Sequence, residues 1–144
     1  MPPKALELGL TGKTVAHNIA RIRNERGLSL RELAERMPED RTLNHAQLSA
    51  AERGVRQVTV DDLTAISFAL GVSPVALLMP ASNPGDGYDA DWTVQLTGTG
   101  PHTHYAAEIL DWLRGDYDLV SDPNDDYLQE THRRLSLPPW AWKR

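Results

Sequence analysis

The chain has 144 residues, enough for one domain or for a domain with a small appendage, and its formal net charge is −5. It contains no cysteine, which excludes disulfides, thiol catalysis and thiolate zinc sites and is typical of a reducing cytosol. No apolar run reaches the roughly 18 residues that a transmembrane helix needs, so we expect a cytoplasmic protein without a membrane span.

The acidic residues are concentrated in the second half of the chain. Residues 1–80 contain ten Lys and Arg against nine Asp and Glu, a balance of +1. Residues 81–144 contain five against eleven, a balance of −6. A near-neutral first half can still bind a polyanion if its arginines lie on one face, and we expect the acidic half to point away from phosphate.

Five short helices are predicted in the first 80 residues. Val15, Ile19 and Ile22 recur at helical spacing and predict the first helix. The predicted helices run from Gly12 to Arg26, from Ser29 to Met37, from Asn44 to Gly54, from Thr59 to Gly71, and from Pro74 to Met79 behind Ser73. The run Pro38–Thr42 breaks the periodic pattern and is predicted to form the connection between the second and third helices.

Cap signals support three of these helix starts. Ser29 with Glu32, and Asn44 with Gln47, have the spacing of a capping box. In such a box each side chain accepts a hydrogen bond from the backbone N–H of the other residue. The fourth helix begins with two aspartates at positions 61 and 62, which suit the positive end of the helix dipole.

The second half is predicted to be mostly helical, with one short strand. Residues 81–91 are rich in turn formers and predict a linker, and residues 92–96 alternate and predict a strand. Helices are predicted over residues 103–114 and 125–135. All four tryptophans lie in this half, which predicts a folded segment that packs on the first half or on a second copy of the chain.

The first half resembles a known family. Three stretches carry the resemblance: Gly27–Ala34, Leu48–Gly54 and Leu63–Ser73. With the helix pattern around them, residues 12–80 are similar to the five-helix domain of lambda-repressor-like, Xre-type helix-turn-helix regulators. The resemblance implies a mainly α protein with a DNA-binding domain over 1–80, a linker over 81–91, and a small, mostly helical, acidic and Trp-containing C-terminal region over 92–144.

The resemblance also implies a function. Such regulators lay one helix of the motif in the DNA major groove. We therefore expect a sequence-specific transcriptional repressor that binds a double-stranded DNA operator as a homodimer, through the C-terminal region or the fifth helix. The tail is similar, more loosely, to tails on repressors of actinobacterial phages and prophages. Two features depart from the family: the connection after the second helix is longer, and Leu30 replaces a polar residue that often binds phosphate.

The implied DNA contacts lie on and beside the third helix. The candidate residues are Ser29, Arg31, Asn44, His45, Ala46, Gln47, Ser49, Ala50, Arg53, Arg56, Gln57 and Lys13. The amide of Asn44 or Gln47 is expected to bond adenine and His45 to bond guanine, whereas the alanines only touch thymine methyl groups. Ser49 is expected to face the groove, and Lys13 to reach the DNA backbone or the minor groove. The residues expected to contact phosphate are Ser29, Arg31, Arg53, Arg56 and Gln57. Because strong base readers are few, one half-site is expected to specify weakly, so that a dimer or DNA shape must add specificity.

Each assignment has a plainer alternative. Asn44 and Gln47 can serve only as a cap pair, His45 can be a solvated surface residue, and Arg53 with Arg56 can be an ordinary charged surface. Mutation separates these interpretations, because a base reader changes which DNA sites are preferred and a cap residue changes only stability.

No catalytic constellation, metal site or cofactor is expected, and we expect no enzyme. His102 and His104 are close in sequence, and aspartates crowd residues 122–126. Neither group has the ligand spacing of a zinc or calcium site. Two other functions remain open: an antitoxin-type module whose second half masks a partner toxin, and a ligand-responsive regulator with an aromatic pocket around Trp92 and Trp112.

Overall fold

The computed structural model describes residues 7–81, 92–100 and 103–142, and most of these residues are helical. The expected mainly α class is therefore confirmed. The chain contacts divide it into two units, Met1–Ala81 and Ser82–Arg144, called here the N-terminal and C-terminal units. The predicted linker after Ala81, as well as His102, lies outside the described residues. None of the described helices is both long enough and apolar enough to span a membrane.

The N-terminal unit contains the predicted helices with small shifts of their ends. They are α1 (Leu10–Glu25), α2 (Leu30–Glu35), α3 (His45–Glu52), α4 (Val60–Leu70) and α5 (Pro74–Leu78). The two predicted capping boxes are confirmed, and Thr59 forms a third with Asp62. Ser73 precedes α5 as predicted, but its side chain makes no cap hydrogen bond.

The inward faces of these helices meet in one apolar core. Its fully buried side chains are Ile19, Leu33, Leu48, Ile66, Leu70 and Leu77. Helix α1 packs against α3 and α5, and α2 packs against α3. Leu48 and Ala51 hold the inner side of α3 in this core, so that the opposite side of the helix faces outward.

A buried asparagine ties the end of the domain to its first helix. Asn18 in α1 is fully buried, and its Nδ2 donates to the carbonyl oxygens of Leu77 at 2.9 Å and Met79 at 2.7 Å. The Asn18 oxygen accepts a hydrogen bond from Arg21. Since the last carbonyls of a helix have no partner within that helix, Asn18 satisfies the end of α5.

The long connection between α2 and α3 is ordered by side chains that it sends inward. Nine residues, 36–44, separate the two helices. Met37 and Leu43 are buried in the core, and Arg41 bonds Asp62 of α4 at 2.8 Å. The extra length is therefore anchored at three points.

The C-terminal unit combines a two-residue hairpin ladder with two helices. Strand β1 (Thr93–Val94) pairs antiparallel with β2 (His104–Tyr105). Helices α6 (Ala106–Leu113) and α7 (Asp126–Ser136) follow, and a 3-10 turn spans Pro139–Ala141.

A small core supports this unit. Its buried apolar side chains are Val94, Leu96, Ala106 and Ile109. Trp142 is half-buried, donates from Nε1 to the Leu137 carbonyl at 2.8 Å, and lies under the guanidinium of Arg134. Trp92 and Trp112 are half-buried as well, whereas Trp140 is 78% exposed.

Two predictions for this unit were wrong in their bounds. The strand predicted over 92–96 is limited to Thr93–Val94, and the helix predicted from Thr103 starts at Ala106. Both differences have one cause: the backbone N–H and C=O groups of a strand need hydrogen-bond partners on a second strand. His104 and Tyr105 supply that partner, so they cannot also form the first turn of the helix.

Candidate nucleic-acid interface

The N-terminus of α3 is fixed by its capping box. Asn44 Oδ1 accepts from the Gln47 backbone N–H at 2.8 Å, and Gln47 Oε1 accepts from the Asn44 N–H at 3.0 Å. Asn44 is exposed and Gln47 is half-buried. The cap interpretation is therefore correct for both residues, and it leaves room for a second role.

The capping box decides which atoms of these amides remain available. Each amide oxygen accepts one backbone N–H and keeps a second lone pair, whereas the NH₂ groups of Asn44 and Gln47 make no hydrogen bond within the described residues. A bidentate contact with adenine needs an amide that donates and accepts together. Donation alone matches the O6 and N7 acceptors of guanine, and it leaves the box intact.

The remaining candidates on α3 share its outer side. His45 and Ala46 are exposed in the first turn, and Ser49 and Ala50 are half-buried one turn later. Arg53 is exposed at the end of the helix, and its Nε donates to Ser49 Oγ at 3.3 Å. These residues recur at the spacing of one helix face, so the structure brings the α3 candidates together.

The start of α2 is polar and exposed. Ser29 Oγ accepts from the Glu32 N–H at 3.1 Å, which leaves the hydroxyl proton of Ser29 as a donor. Arg31 is exposed. Leu30, which departs from the family pattern, packs against the core. It contributes to stability at a position where the family places a phosphate contact.

Two candidates beyond α3 differ in their surroundings. Gln57 is exposed, but Arg56 faces the buried carboxylate of Asp62, with Nη2 3.9 Å from Oδ2. Lys13 is exposed on α1. Leu8, which precedes α1, lies close to Gly54, which follows α3, because a Cβ at Gly54 would lie 3.2 Å from a methyl carbon of Leu8. Gly54 has a φ of +72°, and this left-handed conformation favours glycine there.

Buried charges hold α3 in place. Arg23 of α1 forms a two-pronged ion pair with Glu52, and Nη1 of Arg23 also donates to the Leu28 carbonyl at 2.8 Å. The hydrogen bond to Glu52 raises the pKa of Arg23. Burial raises the pKa of Asp62, but hydrogen bonds from Arg41 and Thr59 outweigh it and hold that pKa below its ordinary value. The carboxylate of Asp62 is therefore ionised at neutral pH.

Sequence reasoning missed Arg23, Glu52 and Arg41 as part of the site. The capping boxes were visible because their partners are three residues apart. The partners of these residues lie 21 or more positions away. Within the described residues, no group of three or more His, Asp or Glu side chains is placed to hold a metal ion.

Comparison with known proteins also indicates a helix-turn-helix domain in the N-terminal unit. A helix-turn-helix family profile matches residues 19–77. Over 68 residues the chain is 41% identical to an uncharacterized HTH-type transcriptional regulator of Sinorhizobium fredii (strain NBRC 101917 / NGR234), and the aligned region covers 47% of this chain and 83% of that protein. No solved structure is significantly similar to the chain. The chain belongs to the lambda-repressor-like, Xre-type helix-turn-helix family of transcriptional regulators.

Proposed function

We propose that the protein is a sequence-specific repressor that lays the outer side of α3 in the major groove of an operator in the bacterial cytosol. Membership of the family makes the protein a DNA-binding transcriptional regulator. The observation that carries the finer proposal is the two-sided character of α3. Leu48 and Ala51 are locked in the core, while Ala46, Ser49 and Ala50 occupy the outer side. Asn44 and His45 are exposed at the start of the helix, where Gln47 is half-buried.

The direction of regulation follows from that mode of binding. We infer repression because a protein that covers its operator keeps polymerase from that DNA without any enzymatic step. The acidic, Trp-bearing tail supports a phage or prophage origin only through its likeness to the tails of such repressors.

Selection of DNA by the purified full chain tests this proposal. Genomic and random fragments are incubated with the protein at several salt concentrations, and the bound fragments are sequenced. A salt-sensitive complex with an enriched, two-fold symmetric motif is the expected result. Binding that enriches no sequence at any salt concentration contradicts the proposal.

A phosphate contact from Arg53 predicts a change in salt dependence. Arg53→Ala is expected to weaken binding to all sequences alike and to reduce the slope of log affinity against log salt by about 1. Arg56→Ala should have a smaller effect, because Asp62 partly neutralises Arg56. Arg26→Ala is the control, since Arg26 lies beside Gly71, the residue that follows the C-terminal end of α4. Equal slopes for Arg53→Ala and Arg26→Ala would exclude the contact.

We also propose that the protein is a homodimer held by the C-terminal unit. Helix α7 has no buried residue, and its two leucines, Leu128 and Leu135, are 40% and 83% exposed on one face. Acidic side chains occupy the first half of α7 and arginines the second half. Two copies packed antiparallel would pair the leucines and place acid opposite base. Helix α5 offers less apolar surface for a dimer contact, because Leu77 is fully buried and its neighbours pack on the core.

Sedimentation velocity of the full chain checks this dimer. Leu135→Asp is expected to shift the protein from dimer to monomer, because it places a charge in the apolar contact. Val120→Asp makes the same kind of change at a residue that is 93% exposed outside α7, and it should leave the dimer intact. A wild-type protein that stays monomeric at all concentrations, or equal behaviour of the two variants, would rule out α7 as the contact.

A further inference from the structure

One buried carboxylate touches the chain on both sides of α3. Asp62 lies at the third position of α4, and its side chain is 1% exposed. Arg41, in the connection before α3, donates from Nε to Oδ1 at 2.8 Å. Arg56, in the connection after α3, places Nη2 3.9 Å from Oδ2.

These contacts are the more important because α3 is short. It has eight residues, about 12 Å of helix, with Leu48 and Ala51 as its buried anchors. The connections before and after it have nine and seven residues. The contacts with Asp62 therefore add to the core anchors as a further restraint on the position of the helix.

Asp62 is well built for a fixed anchor. Its Oδ2 accepts from the Thr59 N–H at 3.2 Å, and its own N–H donates to Thr59 Oγ1 at 3.1 Å. Arg41 also reaches Thr59 Oγ1 from Nη2, at 3.4 Å. These hydrogen bonds fix the orientation of the carboxylate at the start of α4. The positions of Arg41 and Arg56, which pair with it, therefore depend on α4.

The ion pairs with Asp62 leave both arginine side chains partly exposed. The side chains of Arg41 and Arg56 are 39% and 32% exposed. The buried Nε of Arg56 has no hydrogen-bond partner in the described part of the chain. Asp62 thus holds two cations next to α3 while it neutralises part of their charge.

We infer that Asp62 is a positioning residue for DNA recognition: it clamps the connections on both sides of α3 through Arg41 and Arg56, so that the helix enters the groove at one fixed angle. This inference rests on the proposed function. It implies that Asp62 lowers the affinity for DNA in general and raises the specificity for the operator. Its negative charge weakens attraction to any phosphate backbone, while the clamp favours the one geometry in which base edges are read.

The test compares Asp62→Asn with Asp61→Asn in the full chain. Asparagine at position 62 can still accept the Thr59 N–H, so the capping box is retained and the charge is lost. Asp61 is the matched control, because it is an exposed neighbour in the same helix turn and forms no ion pair within the described residues. Affinity is measured for the selected operator and for a scrambled duplex, and helicity and melting temperature are recorded for each variant.

Both variants should bind scrambled DNA more tightly, because each loses a negative charge. Only Asp62→Asn should lose discrimination, with the operator-to-scrambled affinity ratio falling roughly tenfold, as for residues that share one ion-pair network. A merely structural role would weaken binding to both duplexes together. An unchanged ratio in Asp62→Asn, with the wild type still specific, overturns the inference alone, whereas a wild type without any preference overturns the proposed function.

Arg41→Ala provides a second route if Asp62→Asn does not fold. Arg41 lies outside the apolar core, but its removal takes the hydrogen-bonded cation from the buried carboxylate of Asp62, so the melting temperature is recorded for this variant too. The ratio should fall while binding to scrambled DNA does not rise, because a positive charge is lost. In the double variant Arg41→Ala/Asp62→Asn the ratio should be no lower than in Asp62→Asn, and additive losses would argue against a shared clamp.

Discussion

Replacing Glu52 with alanine is expected to destabilise the N-terminal unit by about 3 kcal/mol, the lower part of the range for breaking a buried ion pair. Arg23 and Glu52 are only 14% and 10% exposed, and both guanidinium edges are used. Removing the carboxylate leaves a buried guanidinium without its charge partner. The last turn of α3 loses its link to α1 at the same time, so binding to the operator should fall with stability.

Chemical denaturation followed by far-UV circular dichroism measures this effect. Glu25→Ala is the matched control, because Glu25 pairs with Arg21 on the surface of α1 and its side chain is 59% exposed. Such a pair contributes less than about 1 kcal/mol. Glu52→Gln should fall between the two, since the amide oxygen can still accept one hydrogen bond from Arg23. Equal losses in Glu52→Ala and Glu25→Ala would mean that the buried pair does not hold the domain together.

The sequence was sufficient for features whose partners are close along the chain. The boxes of Ser29 with Glu32 and of Asn44 with Gln47 were predicted and confirmed, because a cap is made within one helical turn. The apolar face of α3 followed from Leu48 and Ala51 by the same local logic. Gly54 ended the helix as expected, and its left-handed conformation gives the reason.

Contacts between distant residues could not be predicted in this way. Asn18 bonds a carbonyl 59 residues away, and nothing in the sequence around Asn18 distinguishes it from a surface asparagine of an amphipathic helix. Asp62 was interpreted only through the helix dipole, although it completes a capping box and binds Arg41. The long connection that looked like a departure from the family is the segment that carries Arg41. Hairpin pairing was missed for the same reason, because the register of Thr93 with Tyr105 depends on a second strand too short to show a pattern.

Replacing Gln47 with glutamate is expected to abolish recognition while leaving the fold intact. Glutamate is a favoured residue at this position of a capping box, so it can accept the Asn44 N–H as glutamine does. It has no NH₂ group to donate, and it brings a negative charge into the groove. A good bidentate base contact contributes about 1–3 kcal/mol, and with the added repulsion the operator affinity should fall about 100-fold at an unchanged melting temperature.

Asn44→Ser separates the lost donor from the added charge. Serine caps helices as well as asparagine does and is neutral, so α3 should stay folded. Operator affinity should fall roughly tenfold, the scale of one lost base contact, and the base preference at one position should disappear. Scrambled DNA should be bound as before, because no backbone contact has changed.

The base read by these donors can be identified with modified DNA. The capping box fixes the direction of each amide oxygen and uses one of its two lone pairs, whereas the NH₂ groups of Asn44 and Gln47 are unengaged within the described residues. We therefore expect guanine rather than adenine at the enriched positions. Replacing that guanine with 7-deazaguanine removes the N7 acceptor and should weaken the wild-type complex. The same replacement should have little effect on the variant that has lost the contacting donor. That variant is Asn44→Ser if Asn44 binds the guanine, and Gln47→Glu if Gln47 binds it. An enriched adenine whose loss affects the wild type alone would show instead that an amide oxygen also accepts from DNA, either through its second lone pair or after leaving its cap.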